Sequence, residues 1–148
     1  MRQAIALIMA TALTAGCSWI GVAGPPPSWF TERSPLPSCG VEEMSHGEGV
    51  NTEARRCLFD AYQAGEGAEF VSNMVSVEGD PIARYYRVHP DGRIEIYHDA
   101  SRDRFGSGTW ERLECDALLP VEEVNTPDSY TPPEFVFVEE DCANIGEG

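Results

Sequence analysis

The residues best equipped for chemistry are a set of carboxylates, three histidines, one glycine-flanked serine and five cysteines. Glu78-Gly79-Asp80-Pro81 reads first as a tight turn, with glycine for unusual φ and aspartate for a local Asx hydrogen bond. The same Glu78 and Asp80, together with Asp99 and Asp103, would form an acidic cluster for a metal ion or cationic group if their loops converged. Arg102 and Arg104 lie among these acids, so the expected outcome is an internal ion-pair cap in which Asp99 and Asp103 hold Arg102 and Arg104. The stretch from Asp99 to Asp103 opens like an oxygen-rich Ca²⁺ loop. Its sixth place, however, is Arg104 where glycine is needed, and its twelfth is Trp110 where a bidentate acid is needed. His46, His89 and His98 follow no compact zinc spacing. Ser107 stands between Gly106 and Gly108 but lacks the nucleophile elbow. Nucleophile, base and oxyanion donors cannot be named together, so neither a catalytic residue nor a metal or cofactor site is expected.

The cysteines point to location. Arg2, the apolar stretch Ala4–Ala10 and the small residues before Cys17 follow the order of a secretory signal, too short for a permanent span. Leu13-Thr14-Ala15-Gly16-Cys17 resembles the lipobox of bacterial lipoproteins, although Thr14 replaces the usual large aliphatic residue. That resemblance implies acylation of Cys17, palmitate among the chains, after removal of residues 1–16. Setting Cys17 aside leaves Cys39, Cys57, Cys115 and Cys142, an even set that suits two disulfides in an oxidising compartment. Four cysteines allow three pairings, and the sequence does not choose among them.

The chain has 148 residues and a formal net charge of -15, all of its ten basic residues being arginine. Such a surface repels nucleic acid and anionic lipid, and it fits cationic partners or plain solubility. Residues 17–37 hold Cys17 and then Pro25, Pro26, Pro27, Pro35 and Pro37, which reads as an extended stalk unable to build a helix. Trp19, Trp29 and Phe30 would either meet the lipid interface or fold back, with 18–37 outside the core in both cases. The remainder, 38–148, is expected as one extracytoplasmic domain with an acidic, proline-rich C-terminal segment.

Within it, Ala54, Cys57, Leu58, Ala61 and Tyr62 repeat at helical spacing and predict a helix over 51–64, capped by Asn51 and stopped by Gly65. Cys57 falls inside the apolar stripe; Arg55 and Arg56 fall outside it. Strands are expected near 69–78, 81–88, 93–99 and 109–115, with a hairpin turn at His89-Pro90-Asp91-Gly92. On the third, Ile94, Ile96 and His98 would face one side and Arg93, Glu95, Tyr97 and Asp99 the other. Phe135-Val136-Phe137-Val138 reads as an added edge strand or as a strap held by Cys142. The expected class is therefore α+β: one amphipathic helix on an antiparallel sheet of about four strands, stapled by disulfides.

Val77-Glu78-Gly79-Asp80-Pro81-Ile82, then Asp99, Asp103-Arg104-Phe105-Gly106-Ser107 and Cys115, resembles a family of small secreted or lipid-anchored bacterial proteins of unknown function. The resemblance covers about 50–115 and implies domain type and location, not an activity. The leading expectation is a non-enzymatic binding module on the outer side of a membrane. It is held there by lipid and recognises an envelope component or protein, not nucleic acid, through loops carrying Glu78, Asp80, Asp99, Asp103 and Phe105. The alternatives are a small envelope hydrolase using a carboxylate, and a structural or stress-related protein without a ligand.

Overall fold

A computed structural model describes residues 24–44, 49–122 and 135–147. A single helical turn, α1 (Ser28–Thr31), comes first, followed by β1 (Ser38–Met44), α2 (Thr52–Ala64) and β2 (Ala68–Val75). Then come β3 (Pro81–Val88), β4 (Ile94–Asp99), β5 (Trp110–Cys115), β6 (Ala117–Glu122), β7 (Phe135–Glu140) and β8 (Ala143–Glu147). Six strands form one sheet in the order β1-β2-β3-β4-β5-β8, and β6 and β7 form a separate two-stranded sheet.

This overturns the expectation of one helix on a four-stranded antiparallel sheet. The four expected strands are present as β2–β5, paired antiparallel through the Ser76–Asp80 and His89–Gly92 turns. Four more join them, of which β1, β6 and β8 were not expected and β7 was expected only as an added edge strand or a strap. β1 pairs with β2 in parallel, so β1, α2 and β2 make a crossover unit. Its inward position is Glu42, a carboxylate where alternation calls for an apolar residue. β6 carries Pro120, which is disfavoured inside a sheet but tolerated in a two-stranded ribbon with open edges. β7, expected as an added edge strand or a strap, pairs with β6 instead.

α2 begins and ends as its sequence dictates. The Asn51 side chain accepts the Ala54 N–H at 3.1 Å. Gly65 takes the left-handed conformation, φ 67°, letting its own N–H and that of Glu66 reach Tyr62 and Ala61 carbonyls. The buried face, however, is rotated from the expected stripe. Leu58, Ala54 and Arg55 are buried, whereas Cys57 is exposed at the rim. Cys57 bonds Cys39, tying α2 to β1, and Cys115 bonds Cys142, tying β5 to the β7–β8 connection.

One face of the large sheet packs on α2 and the β6–β7 hairpin, where Leu58, Phe70, Ile94, Ile96, Leu118 and Phe137 are all nearly inaccessible. Tyr86 belongs here; burial pushes its phenol to about 12, so it stays neutral. The opposite face is covered too. Trp29 stacks on Tyr97 at 5.5 Å, and Phe30 packs on Trp110 at 4.4 Å and Tyr85 at 4.7 Å. The segment expected as a stalk outside the core therefore lies on the sheet over at least 28–37. Pro25–Pro27 precede the helical turn rather than interrupt it, and the Pro27 carbonyl accepts the Phe30 and Thr31 N–H groups.

Candidate functional site

The loops singled out in the sequence meet, but as a closed cap. Asp80 accepts the Arg104 backbone N–H at 3.1 Å and its Nε at 3.0 Å, while Arg104 Nη2 lies 2.8 Å from Asp80 Oδ1. These hydrogen bonds hold the Asp80 carboxyl below its ordinary pKa, although it stands at the periphery, shielded by its own loop. Asp99 and Asp103 do not hold Arg102 and Arg104 as expected. Asp99 accepts from the Ser101 N–H and hydroxyl, and Asp103 from the N–H groups of Phe105 and Gly106. Gly106 is fixed by close approach, since a Cβ there would lie 2.4 Å from an Asp103 carboxylate oxygen. Glu78 is exposed at the turn and Phe105 is 71% exposed beside Arg104. Ser107 accepts the Thr109 N–H and so caps its own loop. Among the described residues no group of three or more His, Cys, Asp or Glu side chains is placed to hold a metal ion.

Cys17, Trp19, His46 and the 123–134 part of the acidic segment lie outside the described residues. Among those described, no helix is long and apolar enough to cross a membrane. His98 is half-buried and accepts Arg84 Nε on Nδ1 at 3.3 Å; burial and Arg84 hold its pKa below the ordinary 6.5.

The richest polar arrangement lies elsewhere, on the sheet face beneath α1. Glu95, only 2% exposed, sits opposite Arg87 in the β3–β4 register. It receives His89 Nε2 at 2.7 Å, Arg93 Nη1 at 3.1 Å, the Tyr97 hydroxyl at 3.3 Å and an Arg112 guanidinium N–H, with Arg87 Nη1 at 3.6 Å. Burial alone would raise the Glu95 pKa, but the Arg112 and His89 hydrogen bonds outweigh it and keep the group ionised below its ordinary 4.5. Arg87 also lies 3.0 Å from Glu69 and donates to the Ser34 carbonyl, while Arg33 reaches Glu69 at 3.3 Å.

These groups line a pocket of about 400 Å³ between β3, β4, β5 and the 29–36 segment. Arg33, Arg87, Arg93 and Arg112 border it with Glu32 and Glu95, and Glu69 pairs with Arg33 and Arg87 and Asp91 with Arg93, so the cluster is internally balanced while its arginines gather on one side of a protein of net charge -15. Three of these side chains remain partly open: Arg33 at 21%, Arg112 at 28% and Arg93 at 40%. Four of the chain's ten arginines thus converge on one concavity. Guanidinium forks match carboxylate and phosphate oxygens two at a time, so the arrangement suits an oxyanion.

The sequence did contain a pointer to this cluster. A turn at His89–Gly92 places Arg87 opposite Glu95, so an ion pair across the hairpin was readable; Arg33 and Arg112, from distant elements, were not.

A second buried ion pair occupies the core face. Arg55 donates to Glu42 at 2.6 and 2.8 Å, and Ser72 and the Asn51 N–H donate to the same carboxylate. Burial opposes its charge, but these bonds prevail and leave the Glu42 pKa low. Every oxygen of Glu42 is engaged within the protein, so this pair fastens α2 to β1 and β2 and offers nothing to a ligand.

Comparison with known proteins finds no family model, no curated protein and no solved structure that matches this chain.

Proposed function

We propose that the protein is a lipid-anchored, non-enzymatic binding module displayed outside the cytoplasm, and that its arginine pocket takes an oxyanion-bearing ligand. The convergence of Arg33, Arg93 and Arg112, each partly open, on a pocket in an otherwise acidic protein carries this reading. The ligand is an acidic group of an envelope component or of a partner protein; carboxylate and phosphate share the required chemistry. The anchor follows from the lipobox-like run before Cys17, and the resemblance around Glu78-Gly79-Asp80-Pro81 agrees with that location. Nucleic acid is a poor candidate partner, because the chain as a whole carries a formal net charge of -15.

Two observations weigh against the hydrolase reading. Glu95 is held ionised by its cationic neighbours and so is a poor proton donor, and the Asp80 loops close on Arg104 instead of lining a cleft.

The test is titration of the full chain with inorganic phosphate and with citrate, followed by calorimetry and by NMR of the arginine side chains. Binding at a Kd of about 0.1–1 mM, which weakens in Arg93→Ala, is expected for such fragments. The reading fails if neither anion perturbs the Arg93 or Arg112 resonances. Membrane attachment is tested separately: Cys17→Ser should leave the membrane fraction or accumulate as precursor.

A further inference from the structure

We infer that the pocket is a composite site completed by the tether itself, so that anion binding and docking of residues 28–37 onto the domain are one linked equilibrium. This rests on reading the pocket as an anion site and specifies how that site is regulated.

The pocket has two walls of different kinds. One is the sheet, with Arg87, Glu95 and Arg112 fixed on hydrogen-bonded strands. The other comes from the chain just ahead of β1 and includes Trp29, Arg33 and Leu36. This second wall holds only one helical turn, and its backbone is hydrogen-bonded to the sheet at its far end, where the Pro37 carbonyl accepts the Glu69 N–H at 2.8 Å. Otherwise it is attached by side chains: Trp29 on Tyr97, Phe30 on Trp110, Arg33 on Glu69, and the Ser34 carbonyl under Arg87. A segment held in this way opens at a lower free energy than a six-stranded sheet.

Opening removes Trp29 and Arg33 from the site and leaves the sheet arginines on an open surface. A ligand touching both walls therefore binds the docked form more tightly and shifts the population toward it. Linkage makes the effect mutual: docking strengthens binding by the same factor as binding strengthens docking. The docked segment lies only eleven residues beyond Cys17 at Ser28. Releasing residues 28–37 would lengthen the tether by up to about 35 Å at full extension. An occupied pocket thus holds the domain close to its anchor, and an empty one lets it reach outward.

Hydrogen exchange read by mass spectrometry on the full chain, with inorganic phosphate or citrate as the probe, tests this. At saturation the amides of 28–36 should exchange about tenfold more slowly, with β2–β5 unchanged, and Trp29→Ala and Arg33→Gln should each weaken the probe about tenfold. Trp29→Phe, which keeps a ring on Tyr97, should recover most of the affinity. If the anion binds but 28–36 gains no protection, or if Trp29→Ala binds as tightly as the parent while remaining folded by circular dichroism, the tether is not part of the site and only this inference falls. If neither anion binds the parent protein, the pocket reading fails and this inference with it.

Discussion

On β4, Ile94 and Ile96 point to one side of the sheet and Glu95 and Tyr97 to the other, and all four are 2% exposed or less. The two faces are equally hidden from water but are held by different forces. Toward α2 the neighbours are Leu58, Phe70, Phe137 and Val88, whose packing needs no partner of a particular charge. Toward α1, Arg87, Arg112 and His89 surround one carboxylate, and the buried charges of Glu95 and Arg87 are tolerable only because partners are present. Around Ile94 and Ile96 the first face is therefore insensitive to pH and salt, its buried conditional element being the Glu42–Arg55 pair, whereas the second is conditional throughout the Glu95 cluster. A face built of conditional contacts can also accept one more charged group, which a closed apolar core cannot.

The sharpest way to break this contrast is Glu95→Ala. It leaves Arg112 and His89 without their carboxylate and Arg87 with Glu69 alone, and should remove about 4 kcal/mol of stability by denaturant unfolding. A loss below about 1 kcal/mol would mean that water already reaches these guanidinium groups. On the other side of the strand, Ile96→Ala should lose about 3 kcal/mol through lost transfer energy and the cavity left behind. That loss should not change with salt, whereas the loss in Glu95→Ala should.

Acid sharpens the comparison next. Glu42 and Glu95 both have folded pKa values below their ordinary 4.5, so their stabilisation is complete above that value and is lost as pH falls through the depressed folded values. Melting curves should decline slightly below about pH 6.5, where His98 takes up its proton in the unfolded chain first, and more steeply below about pH 5 as the carboxylates follow. In Glu95→Gln the remaining acid sensitivity should come from Glu42, Asp80 and His98, and a profile unchanged from the parent would contradict the assignment.

Arg93→Ala should change stability by less than about 1 kcal/mol, because its side chain is 40% exposed, while reducing anion affinity. The smallest global effect belongs to Asp80→Asn. It weakens the Arg104 clamp at the periphery, so melting should be nearly unchanged while amides 102–106 exchange faster.

Much of this protein was legible from its residues alone. The positions of β2–β5, the Asn51 cap, the Gly65 stop and the His89–Gly92 hairpin follow from local rules, because turns, caps and alternation act over a few residues, although β2 ends at Val75 and not at 78. The even set of four cysteines announced two disulfides; only the fold chose Cys39 with Cys57 and Cys115 with Cys142, since pairing depends on which elements meet. The rest was decided at long range. Glu42 looks like a surface residue of a polar strand until Arg55 arrives from α2 and Ser72 from β2. Prolines 25–37 look like a stalk until Trp29 and Phe30 find Tyr97, Tyr85 and Trp110. Beyond the Arg87–Glu95 pair across its hairpin, the arginine pocket, drawn from α1 and its following loop, β3, β4 and β5, has no local signature, because a charge declares itself buried only through partners far away in sequence.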